Sequence, residues 1–327
     1  MSVSQHALSR AVVGAASVLL TTPDLDGDSV GSIVALHRAI SRRWPEKSLR
    51  VVVPEASPAR YRSLTEGVAF VRAGGPVEAV DLALVVDGGP ERLGAAAPHF
   101  AAARVRGMID HHRSSDVSVV DVALLDWAAA STTELVLQLC DRWGVSLDRS
   151  LAAPLFAGLA FDTSVFRYRL TSPRALRAAA RLLETGIDHA GIVEQVLLQQ
   201  SEGKARLRAR VIDRMHLEAS GRLAWSHVAA SESAGVDTGG LVDDLVFIEG
   251  VEVGLLFVER GPERVKLSLR SRGGVDVASL AQTLSPRGGG HARAAGATVA
   301  MDLATAFRDL VPRVAATLNQ TQPVSPR

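Results

Sequence analysis

The sequence predicts an α/β domain with a mainly parallel sheet flanked by helices, joined by a helical linker to a smaller α+β domain. Three observations support this fold class. The chain has 327 residues, which suits two domains better than one. Short apolar runs alternate with helix-like stretches in the first half, and the pattern changes after about residue 215. The predicted boundaries are 1–194 for the first domain, 195–215 for the linker, 216–318 for the second domain and 319–327 for a tail.

In the first domain, apolar runs bounded by turn residues predict the strands 17–21, 49–53, 82–86 and 105–109. Apolar residues at three- and four-residue spacing predict helices over 29–43, 132–141 and 174–184. Strands that alternate with helices indicate a parallel sheet. The N-terminal apolar stretch continues into acidic residues without a cleavage site, so we interpret it as the first strand and not as a signal peptide.

The linker is predicted from a polar, charged stretch in which Gly203 is the only glycine and no proline occurs. After it, runs at 223–229, 251–258 and 265–270 predict strands. A last amphipathic stretch at 303–318 predicts a helix. These elements make the second domain α+β.

Composition restricts the classes of partner. The 36 Lys and Arg residues nearly balance 35 Asp and Glu residues, so no global positive field would recruit long nucleic acid. Aromatic residues, at 4%, are too few for a long stacking groove, which leaves short nucleotides as candidates. The single cysteine, Cys140, cannot form an internal disulfide, and we expect a cytoplasmic protein. No apolar run reaches the roughly 18 residues of a membrane span, so no membrane partner is expected. The oligomeric state stays open, with a homodimer among the possibilities.

Acidic residues and histidines follow the ends of several apolar elements. They are Asp26 and Asp28 after the first strand, Asp87 after the third, Asp110, His111 and His112 after the fourth, and Asp162 after the segment 154–161. The carboxyl edge of an open α/β sheet is where ligands bind. Crowded carboxylates repel one another unless a cation neutralises them, and mixed Asp and His ligands suit manganese or a similar divalent metal. A two-metal site is therefore our hypothesis, although each motif taken singly could be a turn or a helix cap.

Two other motifs begin at the same loop. A calcium loop starting at Asp24 would need Gly at its sixth place and Glu at its twelfth, where this chain has Ser29 and Ala35. The segment 27–31 also matches the G-x-S-x-G nucleophile elbow, which would make Ser29 a hydrolase nucleophile. Carboxylates beside Ser29 would oppose the charge on an oxyanion, so we favour the metal site.

A glycine cluster in the second domain predicts a phosphate-binding site. Gly288, Gly289 and Gly290 precede His291, and Arg270 ends a predicted strand. Consecutive glycines let backbone N–H groups approach an anion, and we expect a helix just after them to add its positive end. Arg270 could clamp a phosphate with paired hydrogen bonds. The alternative is a glycine-rich turn beside a surface arginine.

Taken in order, these motifs resemble the DHH/DHHA1 phosphoesterases, and most closely their bifunctional oligoribonuclease and 3'-phosphoadenosine 5'-phosphate phosphatase branch. The matching segments run through both domains: DGDSVGS from Asp26, VVDGGPERLG around Asp87, IDHHRSSD around Asp110, STTELVLQL from Ser131, AFDTSVFRY around Asp162, VKLSLRSRG from Val265 and GGGHARAAG from Gly288. The resemblance implies an N-terminal DHH domain and a DHHA1 domain.

The resemblance also implies roles at the matching positions. Two Mn²⁺ ions would be held by Asp26, Asp28, Asp87, His111 and Asp162, with Asp87 bridging both. His112 would lie close to the scissile phosphate and assist the leaving oxygen. Arg270, His291 and the glycines 288–290 would hold the nucleotide end of the substrate.

One position departs from the family. Its first motif usually opens with a His four residues before the first Asp, and this chain has Thr22 there. A hydroxyl is a poor replacement for imidazole, so one metal would be weak or absent unless Asp24 supplies the missing ligand. Both alternatives stay open on the sequence.

The function implied by the resemblance is metal-dependent hydrolysis of short oligoribonucleotides or linear dinucleotides, with 3'-phosphoadenosine 5'-phosphate as a further substrate. The alternatives are a cyclic dinucleotide phosphodiesterase, a metal-deficient nucleotide-binding protein without activity, and a serine hydrolase that uses Ser29.

Overall fold

The computed structural model describes residues 5–113, 115–272, 274–286 and 288–320. The chain divides into two compact units, residues 1–199 and 200–327. The predicted domain boundaries stay a prediction, and positions 321–327 of the predicted tail lie outside the described residues. None of the helices in the described ranges is both long and apolar enough for a membrane span.

The first unit is built on one six-stranded sheet in the order β3-β2-β1-β4-β5-β6, with every neighbouring pair parallel. The strands are β1 (Ser17–Thr21), β2 (Ser48–Val53), β3 (Phe70–Arg72), β4 (Leu82–Val86), β5 (Val105–Asp110) and β6 (Val122–Leu125). The predicted parallel sheet is confirmed.

Helices cover both faces of this sheet because its inner strands direct apolar residues to both faces. In β4, Leu82, Leu84 and Val86 belong to one apolar core, and Ala83 and Val85 belong to another on the opposite face. Burial on both faces is typical of parallel sheets. The helices of this unit are α1 (Gln5–Gly14), α2 (Gly27–Arg43), α3 (Ala97–Ala101), α4 (Thr132–Arg142), α5 (Arg149–Asp162), α6 (Pro173–Leu183) and α7 (His189–Val193).

The strand predicted at 17–21 is confirmed with these bounds, and apolar residues that precede it belong to α1. The apolar segment 154–161, whose type the sequence left open, is part of α5, and Asp162 is the last residue of that helix. The edge strands β3 and β6 were not predicted, since three and four residues are too short to show a clear alternation.

The second unit contains a separate six-stranded sheet in the order β11-β12-β10-β9-β8-β7. Its elements are α8 (Glu202–Asp213), β7 (His216–Glu218), β8 (Leu223–Val228), α9 (Leu241–Val246), β9 (Val253–Gly261), β10 (Arg264–Ser271), α10 (Val277–Leu284), β11 (Gly289–His291), β12 (Ala294–Val299) and α11 (Leu303–Gln320). Only β8 and β9 pair in parallel; the other neighbours are antiparallel. The predicted α+β character is confirmed.

The helix expected just after the glycine cluster is wrong. Gly289–His291 forms β11, which pairs antiparallel with β12. Gly290 has a φ of 137°, which a helix cannot contain and which suits glycine. The cluster therefore lies in a hairpin and lacks the positive end of a helix.

Candidate metal centre

The strand order of the first unit brings the predicted acidic residues to one edge. Strand β1 has β2 on one side and β4 on the other, so the connections leaving β1 and β4 diverge from this point. Such a switch point opens a crevice at the carboxyl ends of the strands. Asp26 and Asp28 follow β1, Asp87 follows β4, and His111 follows β5.

The first turn of α2 holds two of these aspartates in different ways. Asp26 is the N-cap of α2, and its Oδ1 accepts hydrogen bonds from the backbone N–H groups of Asp28 and Ser29, both at 3.0 Å. Asp28 is fully buried and accepts from the first backbone N–H groups of α4, Thr132 at 2.5 Å and Thr133 at 3.0 Å. The start of α4 thus stabilises the Asp28 carboxylate.

Asp87 lies at the centre of the site in an unusual backbone conformation. Its φ is 58°, in the left-handed region that residues other than glycine seldom adopt. Its Oδ2 accepts from the Ser29 hydroxyl at 2.6 Å, and its Oδ1 accepts from the Thr132 hydroxyl at 3.1 Å. Both oxygens of this buried carboxylate are therefore oriented by neighbouring hydroxyls.

His111 directs Nε2 toward the acidic residues. This nitrogen lies 3.0 Å from Asp162 Oδ2, 3.7 Å from Asp87 Oδ1 and 4.0 Å from Asp28 Oδ2. Its Nδ1 lies 3.3 Å from the carbonyl oxygen of Ala129, an acceptor, which places the Nδ1 proton on that bond. One ligand atom from each of these four side chains, Asp28, Asp87, His111 and Asp162, lies within 4.8 Å of the others.

His112 lies beside this four-residue group and is held by Asp110. Its Nδ1 is 2.8 Å from Asp110 Oδ1 and 3.7 Å from Asp87 Oδ1. Asp110 also accepts from the backbone N–H groups of His111 and His112, at 2.8 and 3.2 Å. The Asp110 carboxylate therefore orients both histidines of the motif, a role that the sequence did not reveal.

Burial and mutual repulsion change the acidity of the aspartates. Desolvation, followed by the charges of Asp87 and Asp162, raises the pKa of Asp26 from 3.8 to about 8. The same three causes raise the pKa of Asp28 above its usual value. Desolvation also raises the pKa of Asp162, although His111 partly offsets that shift. Without a cation, burial and repulsion therefore favour the protonated, neutral form of these carboxyl groups over the ionised form.

The pKa values of the two histidines are raised, which favours their positively charged forms beside the carboxylates. Burial lowers the pKa of His111, but Asp162, Asp28 and Asp87 outweigh it, and the net pKa is raised. Burial likewise lowers the pKa of His112, and the hydrogen bond with Asp110 and the charge of Asp87 reverse the shift.

The four-residue group fits a divalent cation. Three carboxylates and one imidazole are oxygen and nitrogen ligands of the kind that manganese and similar metals accept. A metal-binding histidine commonly donates its second N–H to a backbone carbonyl, as the contact of His111 with Ala129 provides. A bound cation would also remove the repulsion that raises the pKa values of Asp28 and Asp162.

Asp26, Asp24 and Thr22 lie outside the four-residue group. Asp26 interacts with Asp87 and Asp162 through its charge. The Thr22 hydroxyl is fully buried and donates to the backbone carbonyl of Asp24 at 3.0 Å. The Asp24 carboxylate, 55% exposed, pairs with Arg92. In this arrangement the Asp24 carboxylate pairs with an arginine and is not one of the four grouped residues, and its assignment as a metal ligand stays a prediction.

Ser29 lacks the features of a nucleophile elbow. It lies within the first turn of α2, is fully buried, and directs its hydroxyl proton to Asp87. The left-handed residue after a strand in this region is Asp87. These observations favour a supporting role for Ser29 over nucleophilic attack.

In the second unit, Arg270 and His291 lie at the same end of the sheet. Ala294 of β12 pairs with Arg270 of β10 on one side and with His291 of β11 on the other. The Arg270 guanidinium pairs with Asp243, with Nε 2.7 Å from Oδ1. A side chain at position 288 would meet the backbone of Ala281 in α10, so close packing requires glycine there. The assignment of these residues to substrate stays a proposal.

Sequence reasoning named Asp110 without giving it a role, and it missed Thr132. Thr132 donates its hydroxyl to Asp87 and its backbone N–H to Asp28, so it contacts two of the four grouped residues. The available signal was the pattern Ser131-x-x-Glu134, which predicts a helix N-terminus and hence free N–H donors. Ser131 is indeed the N-cap of α4.

Comparison with known proteins adds two family matches. Residues 18–159 match the N-terminal domain of the DHH family, and residues 226–319 match the DHHA1 domain. The bifunctional oligoribonuclease and PAP phosphatase NrnA of Thermus thermophilus is 30% identical over 308 residues, covering 90% of this chain and 88% of that protein. The cyclic-di-AMP phosphodiesterase GdpP of Geobacillus thermodenitrificans is 27% identical over 88% of this chain and 45% of its own length.

Among solved structures, an exopolyphosphatase-related protein from Bacteroides fragilis superimposes with a TM-score of 0.85 at 22% identity. The match covers 96% of this chain and 97% of that one. It shows that the two-unit fold is shared.

Proposed function

This chain belongs to the DHH family and carries its DHHA1 domain, and from that premise we propose a metal-dependent phosphodiesterase of short oligoribonucleotides and linear dinucleotides. The observation that carries the proposal is the buried group of three carboxylates and one imidazole. Such a group is costly to maintain without a cation, and it lies at the edge of the sheet where ligands bind.

Asp28, Asp87, His111 and Asp162 would hold one divalent cation, for which we propose Mn²⁺. Asp26, together with Asp87, would contribute to a second ion. When bound, such cations acidify a water molecule for attack on phosphorus and stabilise the negative charge on the phosphoryl oxygens.

His112 would act on the leaving oxygen. Asp110 accepts the Nδ1 proton of His112, which leaves Nε2 as the atom able to carry a second proton. A protonated Nε2 could donate to the leaving oxygen as the bond to phosphorus breaks. In this scheme Asp110 fixes the tautomer and the orientation of the ring, and the reaction needs no covalent intermediate with the protein.

We assign recognition of the nucleotide end to the second unit. Arg270 and His291 lie at one end of neighbouring strands, next to the hairpin that contains Gly288, Gly289 and Gly290. Arginine and backbone N–H groups both suit a phosphate oxygen. Arg270 already pairs with Asp243, which would orient its guanidinium before a substrate arrives.

The relatives guide the choice of substrate. The match to NrnA of Thermus thermophilus covers 88% of that protein, whereas the match to GdpP covers 45% of GdpP. We therefore propose short oligoribonucleotides and 3'-phosphoadenosine 5'-phosphate as the first candidate substrates. The similarity to GdpP keeps cyclic dinucleotides as the second candidate. All these substrates are small nucleotides, and we propose that the protein acts on them in the cytoplasm.

Substitution of Asp87 tests the proposed function. Asp87→Asn keeps the size of the side chain but replaces an anionic oxygen by a neutral amide, which binds a hard cation poorly. We expect loss of Mn²⁺-dependent hydrolysis of the dinucleotide pApA, with an unchanged circular dichroism spectrum. Hydrolysis that survives thorough chelation in the wild-type protein, with labelling of Ser29 by a fluorophosphonate, would instead support the serine hydrolase. Nucleotide binding without turnover would support the inactive binding protein.

A further inference from the structure

Two buried hydroxyls converge on Asp87 from different helices. Ser29, in the first turn of α2, reaches Oδ2 at 2.6 Å, and Thr132, the first residue of α4, reaches Oδ1 at 3.1 Å. Both donors are fully buried, and Asp87 is 6% exposed. A hydrogen bond from a hydroxyl to an ionised carboxylate in such an environment is stronger than one in water.

The backbone of Asp87 has a strained conformation that its neighbours must stabilise. A left-handed conformation costs a residue with a side chain about 1–2 kcal/mol. Asp87 nevertheless has a φ of 58°, and its backbone N–H donates to the carbonyl of Ile109 in β5 at 3.0 Å. A strained residue keeps such a conformation only when its surroundings impose it. The two hydroxyl bonds fix the side chain, and the bond to β5 fixes the backbone.

Thr132 also joins Asp87 to a second carboxylate. Its backbone N–H donates to Asp28 Oδ2 at 2.5 Å while its hydroxyl donates to Asp87. A carboxylate has about four lone-pair positions, and one donor on each oxygen leaves one position per oxygen for a cation. The hydroxyls therefore orient Asp87 without using up its capacity to bind metal.

We infer that Ser29 and Thr132 are positioning residues that hold the Asp87 carboxylate in its ligand orientation, and that Thr132 sets its spacing from Asp28. The inference rests on the proposed function, since it assigns roles at the same site. It also gives Ser29 a role other than the nucleophile that its motif suggested. Neither residue needs to contact substrate.

Each residue has a matched control nearby. Ser32 lies one turn after Ser29 on α2 and is equally buried, and its hydroxyl has no hydrogen-bond partner among the described residues. Thr133 follows Thr132 on α4, and its hydroxyl bonds to that of Ser131 and not to an acidic residue. Ser32→Ala and Thr133→Val thus each remove a buried hydroxyl that does not bond to Asp87, and Thr133→Val keeps the backbone N–H that donates to Asp28.

The test is the Mn²⁺ affinity of chelator-stripped full-length protein, measured by calorimetry. Loss of a group that orients a metal ligand typically weakens binding about 10- to 100-fold, and we expect this of Ser29→Ala and of Thr132→Val. Thr132→Ser keeps the hydroxyl and should restore near wild-type affinity. The two controls should stay within about twofold of wild type.

Thermal unfolding of the metal-free variants separates this role from a general loss of stability. If Ser29→Ala and Thr132→Val unfold earlier but bind Mn²⁺ like their controls, the inference is wrong while the proposed function stands. If the wild-type protein neither binds Mn²⁺ nor hydrolyses pApA, the proposed function is wrong, and the inference is wrong with it. Weaker Mn²⁺ binding confined to the two variants, with rescue by Thr132→Ser, supports the inference.

Discussion

At the scale of single residues, Asp26 shows how burial of an acid links pH to stability. Its carboxyl group has a pKa of about 8 in the folded chain, compared with 3.8 when it is unperturbed. Between these values the folded state binds a proton that the unfolded state releases. The free energy of unfolding of the metal-free protein therefore falls as the pH rises through this window. The raised pKa of His111 acts in the same direction above its usual value of 6.5.

We predict that, with a chelator present, the urea midpoint is lower at about pH 8 than at about pH 5.5. Asp26→Asn, which keeps a good N-cap, should make this decline shallower. Added Mn²⁺ should counteract the decline, because the cation binds ionised carboxylates. A urea midpoint of the metal-free protein that rises between about pH 5.5 and about pH 8 would contradict the raised pKa values of Asp26 and His111.

We predict that the number of ions in the site depends on positions 22 and 24. Since Asp24 pairs with Arg92, we expect Asp24→Asn to leave the Mn²⁺ affinity within about twofold of wild type. Thr22→His should increase the number of Mn²⁺ ions bound per chain, because imidazole is a far better ligand than a hydroxyl. Metal analysis of the purified variants checks both. A large loss of affinity in Asp24→Asn, with no gain in Thr22→His, would show that Asp24 is a ligand.

The sequence predicted most of the candidate ligands because each one lies at or just after the end of an apolar run. Asp28, Asp87, His111 and Asp162 come together in the structure as expected. The sequence could not show which groups orient them. The contact of Thr132 with Asp87 joins residues 45 positions apart, and it depends on where α4 begins relative to β4. A contact of that kind leaves no local pattern.

At the scale of elements, the sequence predicted the strands of the first unit that have strong apolar patterns and missed the two at the edges of that sheet. The runs that became β1, β2, β4 and β5 carry several large apolar residues and lie in the interior of the sheet. The missed strands β3 and β6 are short and lie at the two edges. The helix expected after Gly290 was wrong because backbone pairing with β12 determines the conformation there.

The contact between α2 and α5 sets the distance between ligands carried by these two helices. A Cβ at Gly31 of α2 would lie 2.3 Å from the carbonyl oxygen of Pro154 in α5. Asp28 lies in the first turn of α2, and Asp162 is the last residue of α5. Glycine at position 31 thus permits the close approach that holds both carboxylates in one site.

Gly31→Ala should lower the free energy of unfolding by about 1–3 kcal/mol, because the packed helices must separate. Gly14→Ala is the matched control, since no atom lies within 4 Å of the added Cβ at the end of α1. We expect the control to change stability by no more than about 0.5 kcal/mol. Urea unfolding of both variants measures the difference. Equal midpoints would mean that α2 and α5 do not pack as closely as described.

At the scale of the whole molecule, the order of the motifs along the chain identified more than any single pattern. Each Asp-Gly or His pair alone could be a turn or a surface feature, whereas the ordered set spans both units and predicts the family that the comparisons confirm. The motifs do not determine the substrate. Relatives that share this architecture act on oligoribonucleotides or on cyclic-di-AMP, so the choice of substrate depends on other differences between the chains.

The most direct test of the central claim is chromatography of the products from a nucleotide panel, run with Mn²⁺ and with chelator. The panel contains pApA, longer oligoribonucleotides, 3'-phosphoadenosine 5'-phosphate and cyclic dinucleotides. We predict Mn²⁺-dependent release of mononucleotides from pApA, with slower turnover of longer chains and of cyclic dinucleotides, and no turnover with chelator. Turnover of cyclic dinucleotides in preference to pApA would replace the substrate assignment, and hydrolysis that is insensitive to chelation would contradict the metal centre itself.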